Sequence, residues 1–114
     1  MSFDWSQVQI EHIMPRSWEQ NWPLPAEFAP AVRNAGIQNI GNLTLVSQAL
    51  NPTMSNAPWL GEAGKLGKKD HLHAHAIMHC NRRLLDRFPL GWSDADIRTR
   101  AELMFEDARE IWPR

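Results

Sequence analysis

Four polar residues stand at the junctions of short predicted elements, and their side chains are of the types that metal-assisted hydrolysis requires. Glu11 and His12 end an apolar, β-branched segment, Asn42 directly precedes a second one, and Asn51 lies near the start of a short helix. A neutral imidazole can take a proton from water, and carboxylate and amide oxygens suit Mg²⁺ or Mn²⁺. If a hairpin and a helix bring these residues together, the set suits phosphodiester hydrolysis with a single divalent ion.

The first elements that must position this set are predicted from periodicity and from proline. Residues 8–13 alternate apolar and polar side chains, which predicts a strand anchored by Val8 and Ile10. Residues 15–39 carry four prolines, which predicts an irregular connection with one helical stretch around residues 26–34.

The remaining elements follow the same rules. Residues 43–46 predict a second strand, and cap-type residues predict that a short helix starts within residues 47–52. A Gly-rich basic loop at 57–69 precedes a helix from about 69 to 87, and a last helix runs from a cap at Ser93 to the proline at 113. This order predicts an α+β fold with a minimal antiparallel hairpin.

Composition limits the class of protein. The 114 residues and 43% hydrophobic content predict one globular domain spanning 1–114. A single cysteine excludes an intramolecular disulfide, and the chain has neither an apolar run of membrane-spanning length nor a signal-peptide pattern, so we expect a cytoplasmic protein and no membrane partner. The six tryptophans are expected to pack at the edges of the core.

Three segments occur in an order that resembles a known nuclease family. They read IEHIMP at 10–15, IGNLTL at 40–45 and LNPTMSN at 50–56. In this order they resemble the motifs of the HNH, or His-Me finger (ββα-metal), endonucleases. More narrowly, they are similar to the nuclease domain at the C-terminal end of GmrSD-type modification-dependent restriction enzymes. The likeness continues into the closing helix at Trp92, Ile97 and Arg100, and so covers most of the chain.

The resemblance implies a ββα-metal core and a role for each residue of the set. It implies that His12 is the general base, that Glu11 is the acidic ligand of one Mg²⁺ or Mn²⁺ ion, and that Asn51 completes the metal site. Asn42 matches a motif residue of the catalytic set that either lies near the site or orders the loop.

Arg16, Asn56 and Lys68 are expected to contact the substrate. Relatives usually carry a lysine soon after a Ser-Asn-Pro-aromatic stretch, followed by an aromatic residue. In this chain a Gly-rich insertion precedes Lys68, and Leu72 stands where the aromatic would be.

The net charge of -1 argues against strong DNA binding by this chain alone. Together with the resemblance, it predicts a cleavage module of a larger restriction or phage-defence protein. A recognition or nucleotide-hydrolysing domain elsewhere would then supply the sequence preference. DNA is the expected partner, and RNA remains open.

Two alternatives stay open from the sequence. In the first, the same fold is a non-catalytic module that docks nucleic acid or a protein partner. In the second, His71, His75 and His79, which recur every four residues on one predicted helix face, bind a structural zinc ion.

Overall fold

A computed structural model describes residues 8–47, 49–62, 64–75 and 84–111. It shows the predicted α+β fold, an antiparallel two-stranded hairpin with helices packed against it. Strand β1 spans Gln9–His12, one residue shorter at each end than predicted, and strand β2 spans Leu43–Val46, as predicted. In the described part of the chain, no helix is long and apolar enough to cross a membrane.

Local sequence signals set the starts of the helices. Proline occupies the first turn of α1 (Pro30–Ile37) and of α2 (Pro52–Ser55), where its missing N–H costs nothing. Helix α3 (Lys68–Ala74) follows Gly67, and residues 84–87 form a further helical turn. The last helix, α4 (Asp94–Ile111), begins with a capping box in which Ser93 and Asp96 exchange hydrogen bonds between side chain and main chain.

Two predicted helices differ from those observed. Helix α1 begins about four residues later than expected, because Pro30 starts it and the residues before it form turns. The continuous helix predicted from 69 to 87 is wrong, since α3 ends at Ala74 and the carbonyl of His75 accepts a hydrogen bond from the amide of Ser47 at 3.1 Å. Residues 76–83 lie outside the described part.

Ile10, which was predicted to anchor β1, faces solvent instead of the core. Glu11 pairs with Thr44 across the hairpin, and both side chains are buried, whereas Ile10 is 67% exposed. Successive residues of a strand point to opposite faces, so burying Glu11 forces Ile10 outwards. The strand therefore directs a carboxylate, not its isoleucine, into the protein.

Tryptophans seal the core, as expected. The core contains Ile13, Met14, Trp18, Trp22, Ile37, Val46, Leu50, Trp59, Leu72, Leu84, Leu85, Trp92 and Ile97. Each buried indole N–H donates to a protein oxygen: Trp18 to Asn34, Trp22 to the Ala57 carbonyl, Trp59 to the Phe88 carbonyl and Trp92 to Asn42. Trp5 and Trp112 lie outside the described residues.

Helix α4 packs on the 3₁₀ turn Ile40–Asn42 that leads into β2. The guanidinium of Arg100 donates to the carbonyls of Gly41 and Leu43 at 3.0 and 2.7 Å. A Cβ at Gly41 would overlap the carbonyl oxygen of Ile97 and lie 2.9 Å from the amide nitrogen of Ala101. Only glycine allows the turn to approach the helix this closely.

We expect Gly41→Ala to lower the free energy of unfolding by at least about 2 kcal/mol, because the added methyl group meets main-chain atoms that cannot move aside. The control is Gly36→Ala in α1, where a Cβ meets nothing within 4 Å. This control should stabilise the protein by about 0.5 kcal/mol through loss of unfolded-state entropy. Urea unfolding of both variants tests the pair, and equal effects would contradict the close packing.

Candidate active site

The end of β1 places Glu11 and His12 on opposite faces of the hairpin. Glu11 faces inwards and is 8% exposed, whereas His12 is half-buried at the surface. The alternation of a strand makes this separation unavoidable for adjacent residues. One face thus holds an anchored carboxylate, and the other presents an imidazole towards solvent.

Two groups hold the carboxylate of Glu11 by the same oxygen. Oε2 accepts a hydrogen bond from the hydroxyl of Ser55 at 2.8 Å and from the ammonium of Lys68 at 2.7 Å. No described residue donates to Oε1. The side chain is therefore fixed through one oxygen while the other stays available as a ligand.

Lys68 is fully buried, with a relative exposure of 0%. Its ammonium donates to Glu11 Oε2, to the carbonyl of His12 at 2.8 Å and to the carbonyl of Ser55 at 2.6 Å. Burial lowers the pKa of Lys68 below its ordinary value, and the adjacent Glu11 carboxylate opposes that shift. An ammonium has three donors, and here all three are used. The structure places Lys68 inside the site as the partner of Glu11, with no donor left for a phosphate.

The Gly-rich loop brings Lys68 to this position. The main-chain amide of Lys68 donates to the carbonyl of Pro58 at 2.7 Å, and Glu62 and Lys65 form an antiparallel bridge within the loop. A Cβ at Gly67 would overlap the carbonyl oxygen of Trp59, so the loop folds back on its own start. The Gly-rich loop therefore closes on itself.

Among the described residues, Gln38 contacts the ring of His12. The Nε2 of His12 lies 3.3 Å from the side-chain carbonyl oxygen of Gln38, at the end of α1. A carbonyl oxygen only accepts, so this contact is satisfied by the tautomer with the proton on Nε2. The lone pair that can take a proton is then on Nδ1.

Asn42 is fully buried and makes four side-chain hydrogen bonds. Its Oδ1 accepts from the Met14 amide and the Trp92 indole, and its Nδ2 donates to the carbonyls of Met14 and Ile37, all at 2.8–3.0 Å. This side chain fixes the segment that follows β1. Of the two roles open from the sequence, the geometry corresponds to ordering the loop.

Asn51 caps α2 and is exposed. Its Oδ1 accepts a hydrogen bond from the amide of Met54 at 3.0 Å, and its carbonyl accepts from the amide of Ser55 at 2.8 Å. Residues four apart share a face of a helix, and Ser55 contacts Glu11. Asn51 is therefore the N-cap of the short helix whose last residue, Ser55, contacts the Glu11 carboxylate.

The donor types fit a hard divalent cation. The carboxylate oxygens of Glu11 and the side-chain amide oxygen of Asn51 are of the types that Mg²⁺ and Mn²⁺ prefer. Within the described ranges, no three His, Cys, Asp or Glu side chains form a cluster that could hold a metal. That finding includes His71 and His75, whereas His79 lies outside the description.

The other expected substrate contacts lie at the surface or close to it. Arg16 is exposed. Asn56 is half-buried, and its main-chain carbonyl accepts a hydrogen bond from the side-chain amide of Asn21 at 2.9 Å. Sequence reasoning did not assign Ser55 or Gln38 to the site. Ser55 lies within the LNPTMSN segment, whereas nothing in the local sequence distinguishes Gln38.

A scan against protein-family models matches residues 2–107 to the C-terminal domain of GmrSD restriction endonucleases. The chain belongs to this family. The resemblance recognised in the sequence is thereby confirmed. Membership implies nuclease activity within a restriction system, DNA as the substrate and a parent protein larger than this domain. Comparisons with curated proteins and with solved structures gave no match.

We expect Lys68→Met to lower the free energy of unfolding by about 3–5 kcal/mol, because it leaves the Glu11 carboxylate buried without its cation. Adding Glu11→Gln to that variant removes the unpaired charge and should recover most of the loss. Lys69→Met is the matched control, since the Lys69 ammonium makes one exposed hydrogen bond to the carbonyl of Pro89. Urea unfolding of the wild type and these three variants measures the losses, and equal losses for Lys68→Met and Lys69→Met would contradict the buried ion pair.

Proposed function

We propose that this domain is an HNH-type endonuclease that hydrolyses DNA phosphodiester bonds with one divalent metal ion. The observation that carries the proposal is the end of β1, where a carboxylate is anchored through Oε2, no described residue donates to Oε1, and the adjacent imidazole faces solvent. In this proposal Glu11 and Asn51 hold the ion and His12 is the general base. The whole chain forms a single nuclease domain in a larger restriction or phage-defence protein.

The protein groups divide the work between the two faces of the strand. His12 takes a proton from the attacking water at Nδ1, while Gln38 holds the proton on Nε2 and orients the ring. Glu11 needs a fixed position, which Ser55 and Lys68 provide. A bound Mg²⁺ or Mn²⁺ ion would stabilise the charge that develops on the phosphate and on the leaving oxygen.

The metal site is supported by donor chemistry. Glu11 and Asn51 supply two oxygen ligands, and Mg²⁺ commonly keeps several waters when proteins supply one or two ligands. A site of this kind needs no cluster of three acidic or imidazole side chains. The Lys68 ammonium beside Oε2 balances part of the carboxylate charge, and Oε1, to which no described residue donates, would be the oxygen that holds an ion.

A net charge of -1 supports the view that other parts of the parent protein hold the DNA. The same charge is the reason to keep a non-catalytic docking module as the second candidate. The two candidates differ in metal binding and in strand cleavage, and both properties can be measured on this chain.

We expect the chain to nick supercoiled plasmid with Mg²⁺ or Mn²⁺, and His12→Ala to reduce the rate by about 10²- to 10⁴-fold through loss of the general base. His73→Ala is the matched control, because His73 is exposed on α3 and makes no contact with Glu11 or His12. Gel analysis of nicked plasmid measures both. Equal nicking rates for His12→Ala and His73→Ala, or no nicking by the wild type, would contradict the proposed nuclease activity.

Calorimetry with Mn²⁺ tests the ligands separately from activity. We expect Asn51→Ser to weaken binding at least tenfold while keeping α2 intact, because serine also caps helices but is too short to reach the same ion. Glu11→Gln combined with Lys68→Met should abolish binding in a protein whose stability is largely kept. Wild-type affinity in both variants would remove the two ligands from the proposal, and no binding by the wild type would favour the docking module.

A further inference from the structure

A cavity of about 720 Å³ lies beside α2, next to the site described above. Its walls come from three separate parts of the chain: residues 20–21, 51–58 and 61–71. Its volume is in the range of cavities that bind small molecules. Asn51 lines it, so the cavity adjoins the proposed metal site directly.

The apolar part of the lining offers surfaces for a flat ring. Pro52, Met54, Pro58 and Leu66 contribute to it, and Leu66 is 61% exposed. Apolar side chains of this kind contact the faces of nucleobases without regard to the identity of the base.

The polar part of the lining consists mainly of side-chain amides. Among the described residues, the side-chain amides of Gln20 and Asn56 have no hydrogen-bond partner. The side-chain amide of Asn21 uses only its Nδ2, which donates to the main-chain carbonyl of Asn56. An amide both donates and accepts, which matches the mixed donors and acceptors on the edge of a base.

The charge of the lining disfavours a phosphate as the occupant. Lys65 and Glu62 oppose each other in sign, and burial lowers the pKa of His71 below its ordinary value, which disfavours a positive charge on its imidazole. A lining of amides and apolar groups with balanced charge suits an uncharged ring better than an anion.

We propose that this cavity binds one unstacked nucleobase of the DNA strand beside the bond that is cleaved. The inference rests on the proposed function, since it assigns the base to the substrate of that site. Extrusion of a base into a pocket is one way in which enzymes reach atoms within a duplex. The sugar and phosphate attached to this base would then lie against Asn51 and the proposed metal site.

The test measures nucleotide binding in EDTA, without metal and without cleavage. The four deoxynucleoside 5′-monophosphates are titrated into the ¹⁵N-labelled chain, with deoxyribose 5-phosphate as the probe that lacks a base. We expect saturable shifts of the side-chain amide signals of Gln20, Asn21 and Asn56 with at least one nucleotide. The affinity for that nucleotide should be at least tenfold higher than the affinity for deoxyribose 5-phosphate. No binding by any nucleotide, or equal affinity for the sugar phosphate, would overturn the proposal.

A cavity-filling variant localises the binding. Thr53 is exposed and lines the cavity, so Thr53→Trp should fill the space and weaken nucleotide binding at least tenfold. Val32→Trp is the matched control, because Val32 is 58% exposed on α1 and does not line the cavity. Wild-type affinity in Thr53→Trp would also overturn the proposal. Because no cleavage is measured, a failure here is distinct from a failure to nick plasmid.

Discussion

A lysine ammonium and a glutamate carboxylate lie 2.7 Å apart at the centre of this small domain, both largely removed from water. Their attraction must offset the cost of desolvating two charges, and it does so here with further hydrogen bonds to the carbonyls of His12 and Ser55. Three parts of the chain meet at this point: the end of β1, the end of α2 and the start of α3. An apolar pair could fill the same space, but it would not orient a carboxylate.

Other buried polar contacts connect the remaining elements, because the hairpin alone would be only marginally stable. Two strands of four residues each are marginal in isolation. Asn42 joins the segment after β1 to the 3₁₀ turn, Arg100 joins that turn to α4, and Arg33 pairs with Asp94 at 2.6 Å to join α1 to α4. Each contact is directional, so the elements have one arrangement in which all of these groups are satisfied. Among the described residues, every buried side-chain nitrogen and oxygen atom has a hydrogen-bond partner.

The sequence predicts the features that depend on neighbouring residues and misses those that depend on distant ones. Strand β2, the cap at Asn51 and the capping box at Ser93 were all predictable, because their signals lie within a few residues of each element. The ion pair was not, since it joins residues 57 positions apart in the chain. The roles of His12, Glu11 and Asn51 come from motif order and remain predictions.

The exposure of Ile10, which was predicted to anchor β1, shows why pattern reasoning fails at a site and succeeds elsewhere. Alternation assigns Ile10 to the interior because burying an apolar group is favourable and burying a charge is not. Lys68 and Ser55 remove that penalty for Glu11, and the strand then has to expose Ile10. The same alternation turns His12 outwards. A rigid carboxylate and an accessible imidazole thus come from two consecutive residues, and a one-residue shift in register would exchange the two environments. The register of this short hairpin is therefore a constraint on chemistry as well as on packing.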